Sequence, residues 1–320
     1  MGEFELIRRF FCSDQLQPAR RDVGLAVGDD CALITVPQNK QLAVSVDTSV
    51  AGVHFLPDSD PYCIGWRALA VSLSDLAAMG AKPAWFTLAL TLEETDEAWL
   101  SRFAQGVSDL AQQYGISLVG GDTTRGHLTV TVQVQGYVTG SPWLRSGAKP
   151  GEIIYVSGPL GNAAGGLALL QSGIEPSDIW QELVDAYLQP KPRFDLISLL
   201  SSRISSAIDI SDGFLVDLKH ILEGSKVGAQ LDLTRIPVSE ALKDYAGHRK
   251  ALEYALSGGD DYQLCFTVTP QRRLELEVSA EQCGLKLYPV GVVTAKQGIE
   301  GIGDYAVKGF EHFYPEEPKA

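Results

Sequence analysis

Short apolar segments typical of strands alternate with segments typical of helices in both halves of this 320-residue chain. Residues 42–47 (LAVSVD) are β-branched and almost wholly apolar, which predicts a buried strand that ends at an aspartate. Residues 61–79 carry apolar side chains at helical intervals, with proline at the start and glycine just past the end, which predicts a helix. This alternation indicates a fold of α/β or α+β layers.

A break in the pattern divides the chain near its middle. Residues 128–135 (LTVTVQVQ) alternate strictly between apolar and polar, which predicts a strand with one buried face and makes it a candidate for a sheet buried between two subunits. Residues 141–152 then break into glycine, proline and basic residues, and a new rhythm follows. The length also favours two domains. We therefore predict an N-terminal domain over 1–145 and a C-terminal α/β domain over 146–320.

The charge balance limits the partners that such a chain can bind. There are 40 Asp and Glu against 26 Lys and Arg, a formal charge of −14, which argues against nucleic acid and anionic membrane. The cysteines are odd in number, scattered and outside any CxxC pair: Cys12, Cys31, Cys63, Cys265 and Cys283. With no signal-like segment and no apolar run long enough to cross a membrane, this pattern predicts a cytoplasmic protein with free thiols.

A set of aspartates lies in apolar or glycine-rich surroundings at the ends of predicted strands. They are Asp29, Asp30, Asp47, Asp122, Asp209, Asp212, Asp260 and Asp261, and Asp75 lies within an apolar helix. A buried carboxylate must be paired, hydrogen-bonded or bound to metal. Each aspartate alone is also typical of a helix cap or an Asx-turn. Lys and Arg are nearly absent from these segments, so the set as a whole indicates several Mg²⁺ ions held by hard oxygen ligands.

Such metals would allow an acidic protein to bind a nucleotide polyphosphate. The glycine-rich segments 120–126 (GGDTTRG) and 158–166 (GPLGNAAGG) are predicted turns and candidates for phosphate binding, although glycine-rich turns mostly serve to reverse the chain. The P-loop motif, the HRD and DFG motifs of protein kinases and the GxSxG nucleophile elbow are all missing from the sequence, so those enzyme classes are excluded.

Six segments, in order, resemble the thiamine-monophosphate kinase family of the aminoimidazole ribonucleotide synthetase-like superfamily: VGDDCALI, VSVDTSVAGVHF, AVSLSDLAAMGAKP, LVGGDTTRG, ISDGFLVDL and SGGDDYQL. The resemblance implies phosphorylation of thiamine monophosphate to thiamine diphosphate with ATP and Mg²⁺. It further implies the two-domain fold of that superfamily, with an N-terminal mixed sheet that forms a barrel in a homodimer and a C-terminal α/β domain that closes over the active site.

The resemblance also implies roles for individual positions. The metal-binding positions are Asp30, Ser45, Val46, Asp47, Asp75, Asp122, Asp209 and Asp212, with Ser45 and Val46 beside Asp47 on one strand. The ATP-binding positions are Gly121, Asp122, Arg145 and Ser211. The substrate-binding positions are His54, Asp260 and Phe310, with Phe313 as the competing aromatic. The family commonly has glutamate where this chain has Asp260, so the carboxylate there is one methylene shorter.

The absence of an activated nucleophile from this residue set suggests direct in-line transfer without a phosphorylated enzyme. An ionised acceptor phosphate needs little help from a general base, so positioning and charge neutralisation would supply the catalysis. Two alternatives remain at this point. One is another ATP-using member of the same superfamily, and the other is a metal-binding or nucleotide-binding protein without catalytic activity.

Overall fold

Two units, each with its own core, make up the chain in a computed structural model that describes residues 2–310 and 312. The first unit comprises Met1–Pro142 together with Leu188–Ile197, and the second comprises Trp143–Tyr187 and Ser198–Ala320. Both mix helices with strands, which confirms the α/β class predicted from the sequence. Nowhere in the described part of the chain is a helix both long and apolar enough to span a membrane.

The first unit contains a mixed sheet covered by two long helices. Its elements are α1 (Glu3–Leu6), a π-helical turn (Ile7–Phe11), β1 (Val23–Leu25), β2 (Leu33–Ile34), β3 (Gln41–Val50), α2 (Pro61–Ala78), β4 (Lys82–Leu92), α3 (Glu97–Tyr114), β5 (Ser117–Arg125) and β6 (Thr129–Val138). The strands lie in the order β3-β6-β4-β5, with β4 and β5 parallel and the other pairs antiparallel. Strands β3 and β5 therefore form the two edges.

The face of this sheet that carries alternate apolar residues packs on the helices. Val130, Val132 and Val134 of β6 are buried in one core with residues of α2 and α3, while the intervening residues of β6 are half-buried. This confirms the alternation predicted for 128–135. The prediction of a turn at GGDTTRG is wrong for most of that segment, because β5 continues to Arg125 and pairs with β4. Small residues there do not reverse the chain because a neighbouring strand satisfies their backbone hydrogen bonds.

The helices α2 and α3 approach closely where each carries a glycine. A Cβ on Gly65 would lie 2.3 Å from the carbonyl oxygen of Phe103, and a Cβ on Gly106 would lie 2.0 Å from that of Tyr62. Such distances are far inside van der Waals contact, so neither position accepts a larger residue without moving a helix. The close approach fixes α2, and with it the helix face that carries Asp75.

A short segment from the second half of the chain completes the first unit. The indole N–H of Trp66 donates to the carbonyl oxygen of Pro190 at 3.0 Å, and the hydroxyl of Tyr114 donates to that of Pro192 at 3.1 Å. The ring of Phe194 contacts the ring of Tyr114, with 5.0 Å between centroids. Residues Leu188–Ile197 are thus held by hydrogen bonds and by aromatic packing.

The second unit is built on a larger sheet. Its elements are β7 (Ile153–Val156), α4 (Asn162–Ser172), α5 (Gln181–Leu188), α6 (Ile197–Leu200), β8 (Ser206–Asp209), α7 (Phe214–Ser225), β9 (Gly228–Leu231), α8 (Glu240–Ser257), β10 (Leu264–Val268), α9 (Arg273–Gln282), β11 (Tyr288–Thr294) and β12 (Gly298–Glu300). The strand order is β12-β9-β11-β7-β10-β8. Helix α7 packs against β8, β9 and β10, which places the turn before α7 at the end of edge strand β8.

We expect Gly106→Ala to lower the free energy of unfolding by at least about 2 kcal/mol, because the added methyl group must push α2 and α3 apart. Gly224→Ala in α7 is the matched control, since the nearest atoms to its Cβ lie 3.6 Å away and alanine is the better helix former. Denaturant unfolding of both variants measures the difference. Equal stability of the two variants would show that the helices do not meet at Gly106.

Candidate functional site

Three predicted metal-binding residues of the first unit lie between β3 and α2. Ser45 and Asp47 alternate on β3 and are half-buried, and the Ser45 hydroxyl donates a hydrogen bond to the Asp75 carboxylate on α2. The hydroxyl of Ser72, also on α2 and fully buried, donates to the carbonyl oxygen of Val132 at 3.2 Å and lies close enough to Asp47 to influence its pKa. The strand and the helix therefore bring a hydroxyl group and two carboxylates together.

The two carboxylates of this group affect each other electrostatically. Burial and, second to it, the neighbouring charge of Asp75 together raise the pKa of Asp47 to about 6, while the nearby Ser72 hydroxyl acts in the opposite direction. No Lys or Arg contributes to this shift in pKa. Two like charges held close together in a poorly solvated place cost free energy unless a cation joins them.

The donor set suits a divalent cation. Ser45, Asp47 and Asp75 offer only oxygen atoms, and Mg²⁺ takes oxygen ligands while it retains several waters. A 2+ charge between Asp47 and Asp75 would remove the repulsion that raises the pKa of Asp47. The residues present therefore fit the ion that the sequence implies.

A second predicted group lies at the opposite edge of the same sheet. Asp30, Gly121 and Asp122 line a cavity of about 460 Å³, together with Asp29 and the exposed thiol of Cys31. Residues 28–30 and both Gly121 and Asp122 are exposed. Strand β5 is close to β4 here, since a Cβ on Gly121 would lie 2.0 Å from the carbonyl oxygen of Leu88. Glycine is required at this position for steric reasons alone.

Within the first unit these two groups remain separate. Asp47 lies on edge strand β3 and Asp122 on edge strand β5, three strand spacings apart, or roughly 14 Å at about 4.8 Å per spacing. Among the described residues, no three His, Cys, Asp or Glu side chains converge as a metal-binding group. The structure therefore brings the predicted ligands together in pairs and not as a complete coordination shell.

Two other predicted residues lie near β3. Val46 is 56% exposed and projects to the opposite side of the strand from Ser45 and Asp47, so only its backbone is available to the group between β3 and α2. His54 lies in the loop after β3, where its Nδ1 accepts a hydrogen bond from the N–H of Val50 at 3.0 Å. That bond leaves Nε2 as the nitrogen that carries the proton in the neutral ring.

The predicted residues of the second unit gather at the end of β8. Asp209 is the last residue of the strand and is 5% exposed, while Ser211 and Asp212 follow in the turn before α7 and are half-buried. Burial raises the pKa of Asp212, whereas the side chains of His220, His312 and Arg145 act in the opposite direction. Arg145 is therefore close enough to Asp212 to influence it electrostatically.

Asp260 lies against the same turn in a strained loop. Its N–H donates to the carbonyl oxygen of Ser211 at 2.8 Å, and Tyr262 donates its hydroxyl to Asp260 Oδ1 at 2.9 Å. Asp260 and Tyr262 have φ of 69° and 47°, a left-handed conformation that is uncommon outside glycine. Such strain persists only where surrounding contacts impose it, and it is frequent at functional sites.

Phe310 also reaches this turn. Its N–H donates to the carbonyl oxygen of Asp212 at 3.0 Å, while its side chain is 46% exposed and contacts the ring of His312 edge-to-face. The competing aromatic, Phe313, lies outside the described residues. Ser211, Asp212, Asp260 and Phe310 are thus gathered at one end of the sheet of the second unit.

Two further buried acidic residues are outside the positions implied by the resemblance, although Asp261 belongs to the aspartate set noted in the sequence. Asp217 is 2% exposed in the first turn of α7, and burial, followed by the charges of Asp209 and Asp212, raises its pKa to about 8. Asp261 accepts a hydrogen bond from the N–H of Gly161 at 2.7 Å, just before α4, and burial raises its pKa to about 8. The available signal for Asp217 was an acidic residue within the apolar run FLVDL.

Comparisons with known proteins identify family models along most of the chain. The N-terminal domain of AIR synthase related proteins matches residues 28–138, and the C-terminal domain of the same proteins matches residues 149–304. The thiamine-monophosphate kinase of Escherichia coli (strain K12) is 47% identical over 323 residues, with 98% of each chain covered.

Solved structures give the same result. The crystal structure of thiamine-monophosphate kinase from Stenotrophomonas maltophilia K279a is 44% identical, with a TM-score of 0.85 and 90% of this chain and 93% of that chain covered. A structure of AaThiL complexed with AMPPCP and TMP is 30% identical, with a TM-score of 0.79 and 97% and 96% covered. The family models and these structures confirm the predicted aminoimidazole ribonucleotide synthetase-like fold.

The raised pKa of Asp47 predicts how the stability of the metal-free protein varies with pH. A carboxyl group whose pKa is higher in the folded than in the unfolded state stabilises the folded protein fully below about pH 4. This contribution is lost as the pH rises through about 6. In the wild type the free energy of unfolding should therefore fall by up to about 3 kcal/mol between pH 4 and 7, and Asp47→Asn should remove this fall. Denaturant unfolding in a chelator, at steps across this range, measures it. Parallel curves for the variant and the wild type would contradict the assignment.

Proposed function

This chain belongs to the AIR synthase related family and, within it, to the thiamine-monophosphate kinases, and we propose that it acts by direct in-line phosphoryl transfer. Its substrates are thiamine monophosphate and ATP, and its product is thiamine diphosphate. Identity of 47% over 98% of the chain favours this activity over that of another ATP-using member of the superfamily. The observation that carries the site assignment is the close pair of carboxylates formed by Asp47 and Asp75.

We assign Mg²⁺ binding to the carboxylates of both units. Asp47 and Asp75, with Ser45 between them, would hold one ion, and Asp30 and Asp122 offer oxygen ligands at the cavity beside β5. Asp209 and Asp212 are further ligands, and Val46 could contribute only its backbone. When bound, such ions neutralise the negative charge of the phosphates. A protein of net charge −14 offers little positive charge of its own to a polyphosphate.

The remaining predicted positions bind the two substrates. We propose that Gly121, where β5 has no room for a side chain, presents backbone to ATP beside Asp122. Arg145 and Ser211 are the proposed ATP-binding positions of the second unit. His54, Asp260 and Phe310 bind thiamine monophosphate. Tyr262 donates a hydrogen bond to the Asp260 carboxylate and so fixes its orientation. This orientation determines how far the aspartate, one methylene shorter than the usual glutamate, extends toward the substrate. The exposed aromatic face of Phe310 suits a cationic thiazolium ring.

The reaction needs no nucleophile from the protein. A phosphate oxygen of thiamine monophosphate attacks the γ-phosphorus of ATP, the bond from that phosphorus to the β,γ-bridging oxygen breaks, and ADP leaves. The attacking oxygen is already ionised, so no general base is required. The side chains of this chain align the two phosphates and exclude other geometries, and this alignment accounts for much of the rate in such transfers.

Assembly as a homodimer has support in the edge of the first sheet. Strand β3 exposes its outer backbone edge, and Leu42, Val44 and Val46 are 44%, 53% and 56% exposed. A long apolar edge strand is a template for pairing with another chain. We propose that a second copy covers this strand and the half-buried polar face of β6. All five cysteines are free thiols, which supports the cytoplasm as the location.

We expect ATP consumption that depends on thiamine monophosphate, and we expect Asp47→Asn, Asp75→Asn and Asp122→Asn each to reduce kcat on the order of 100-fold or more. Asp96→Asn is the matched control, because Asp96 caps α3 in the same unit and asparagine caps equally well. Coupled ADP release measures the rates, and circular dichroism verifies folding. Near wild-type rates at saturating Mg²⁺ would refute the ligand assignment, and a phosphorylated protein formed at a competent rate would refute direct transfer.

The proposed dimer predicts that Val44→Lys gives a monomer, because a charge on β3 cannot be buried in a paired sheet. Leu274→Lys is the control, since Leu274 is 73% exposed on α9 in the other unit. Sedimentation equilibrium distinguishes the species. A wild-type monomer at micromolar concentration, or a Val44→Lys variant that remains dimeric, would contradict the assignment.

A further inference from the structure

The turn of residues 210–213, between β8 and α7, is held by a single carboxylate from within α7. The N–H groups of Ser211, Asp212 and Gly213 all donate to Oδ2 of Asp217, at 3.1, 3.2 and 3.1 Å. Three consecutive backbone N–H groups that point to one place form an anion-binding concavity of the kind that holds phosphates elsewhere. Here the concavity is filled by the protein's own buried carboxylate.

The carbonyl groups of the same turn are bonded on its other side. The carbonyl oxygen of Ile210 accepts from the N–H of Tyr262 at 2.8 Å, and that of Ser211 accepts from the N–H of Asp260 at the same distance. The carbonyl oxygen of Asp212 accepts from the N–H of Phe310. The backbone of the turn is therefore bonded both to Asp217 and to the two segments that carry the proposed substrate-binding residues.

The backbone also has little room to relax. Gly213 has φ of 128°, and a Cβ there would lie 3.0 Å from the backbone of Ser257. A Cβ on Gly259 would lie 2.4 Å from the carbonyl oxygen of Ser211. The position of the turn is thus set between α8 and the loop that carries Asp260, and Asp217 sets how far the turn reaches.

We propose that Asp217 is a positioning residue for phosphoryl transfer: its carboxylate oxygen fixes the backbone of residues 211–213, so that Ser211 and Asp212 are placed for the nucleotide and its metal. This role rests on the proposed function of those two residues. Asp217 need not contact a substrate itself. The turn requires an acceptor oxygen at the distance from the backbone that an aspartate side chain gives. The position of this oxygen matters more than the negative charge of the side chain.

A pair of substitutions separates reach from charge. Asp217→Asn keeps an oxygen acceptor at the same distance from the backbone and removes the charge, whereas Asp217→Glu keeps the charge and moves the oxygen by one methylene. We expect the Asn variant to retain kcat within about tenfold of the wild type, and the Glu variant to be at least tenfold slower than the Asn variant. We expect KM for thiamine monophosphate to change less than threefold in both. Rates are normalised to the folded fraction from thermal unfolding.

Asp232 provides the control in the same unit. Its carboxylate accepts from the N–H of Thr234 in an exposed helical turn, so Asp232→Asn and Asp232→Glu should leave kcat unchanged. Equal rates for the two Asp217 variants, or a faster Glu variant, would overturn the positioning role. A wild-type enzyme without activity toward thiamine monophosphate would instead overturn the proposed function. The two failures are therefore distinguishable.

Discussion

The burial of carboxylates away from basic side chains is the constraint on which the arrangement of this protein depends. The chain meets it in two physically different ways. Asp217 and Asp261 accept hydrogen bonds from backbone N–H groups at the starts of helices, which partly offset the effect of burial on their pKa. Asp75 accepts a hydrogen bond from the Ser45 hydroxyl, and its charge helps to raise the pKa of the half-buried Asp47. The first kind shapes the backbone, and the second kind is the basis of the proposed metal site.

Both kinds depend on close approaches that only glycine allows. The helix that carries Asp75 is fixed where Gly65 and Gly106 let α2 and α3 meet, and the turn that carries Asp212 is fixed where Gly213 and Gly259 approach neighbouring backbone. Close packing of backbone against backbone therefore determines where these carboxylates lie. A substitution at such a glycine would act on function through the position of an element, without removing any group that binds a ligand.

The sequence was sufficient where a local pattern and the tertiary contacts agree. The helix predicted over 61–79 is found at Pro61–Ala78, since its proline, its apolar period and its terminal glycine all act locally. The sequence was insufficient at 120–126, where a turn was predicted but most of the segment is a strand because it pairs with β4. The sequence offered only an acidic residue within an apolar run as a signal for Asp217, because its partners are backbone groups that the sequence does not identify. The separation of Asp47 from Asp122 followed from strand order, which the sequence did not reveal.

The segment Leu188–Ile197 has a consequence for synthesis on the ribosome. The first 142 residues emerge together, yet the unit they form also includes a segment that ends 55 residues later, since 197 − 142 = 55. At about 5–20 residues per second this delay is roughly 3–11 s. During this interval the indole of Trp66 and the phenol of Tyr114 lack their native acceptors on Pro190 and Pro192. The last contacts of the first unit therefore form only after part of the second unit has been synthesised.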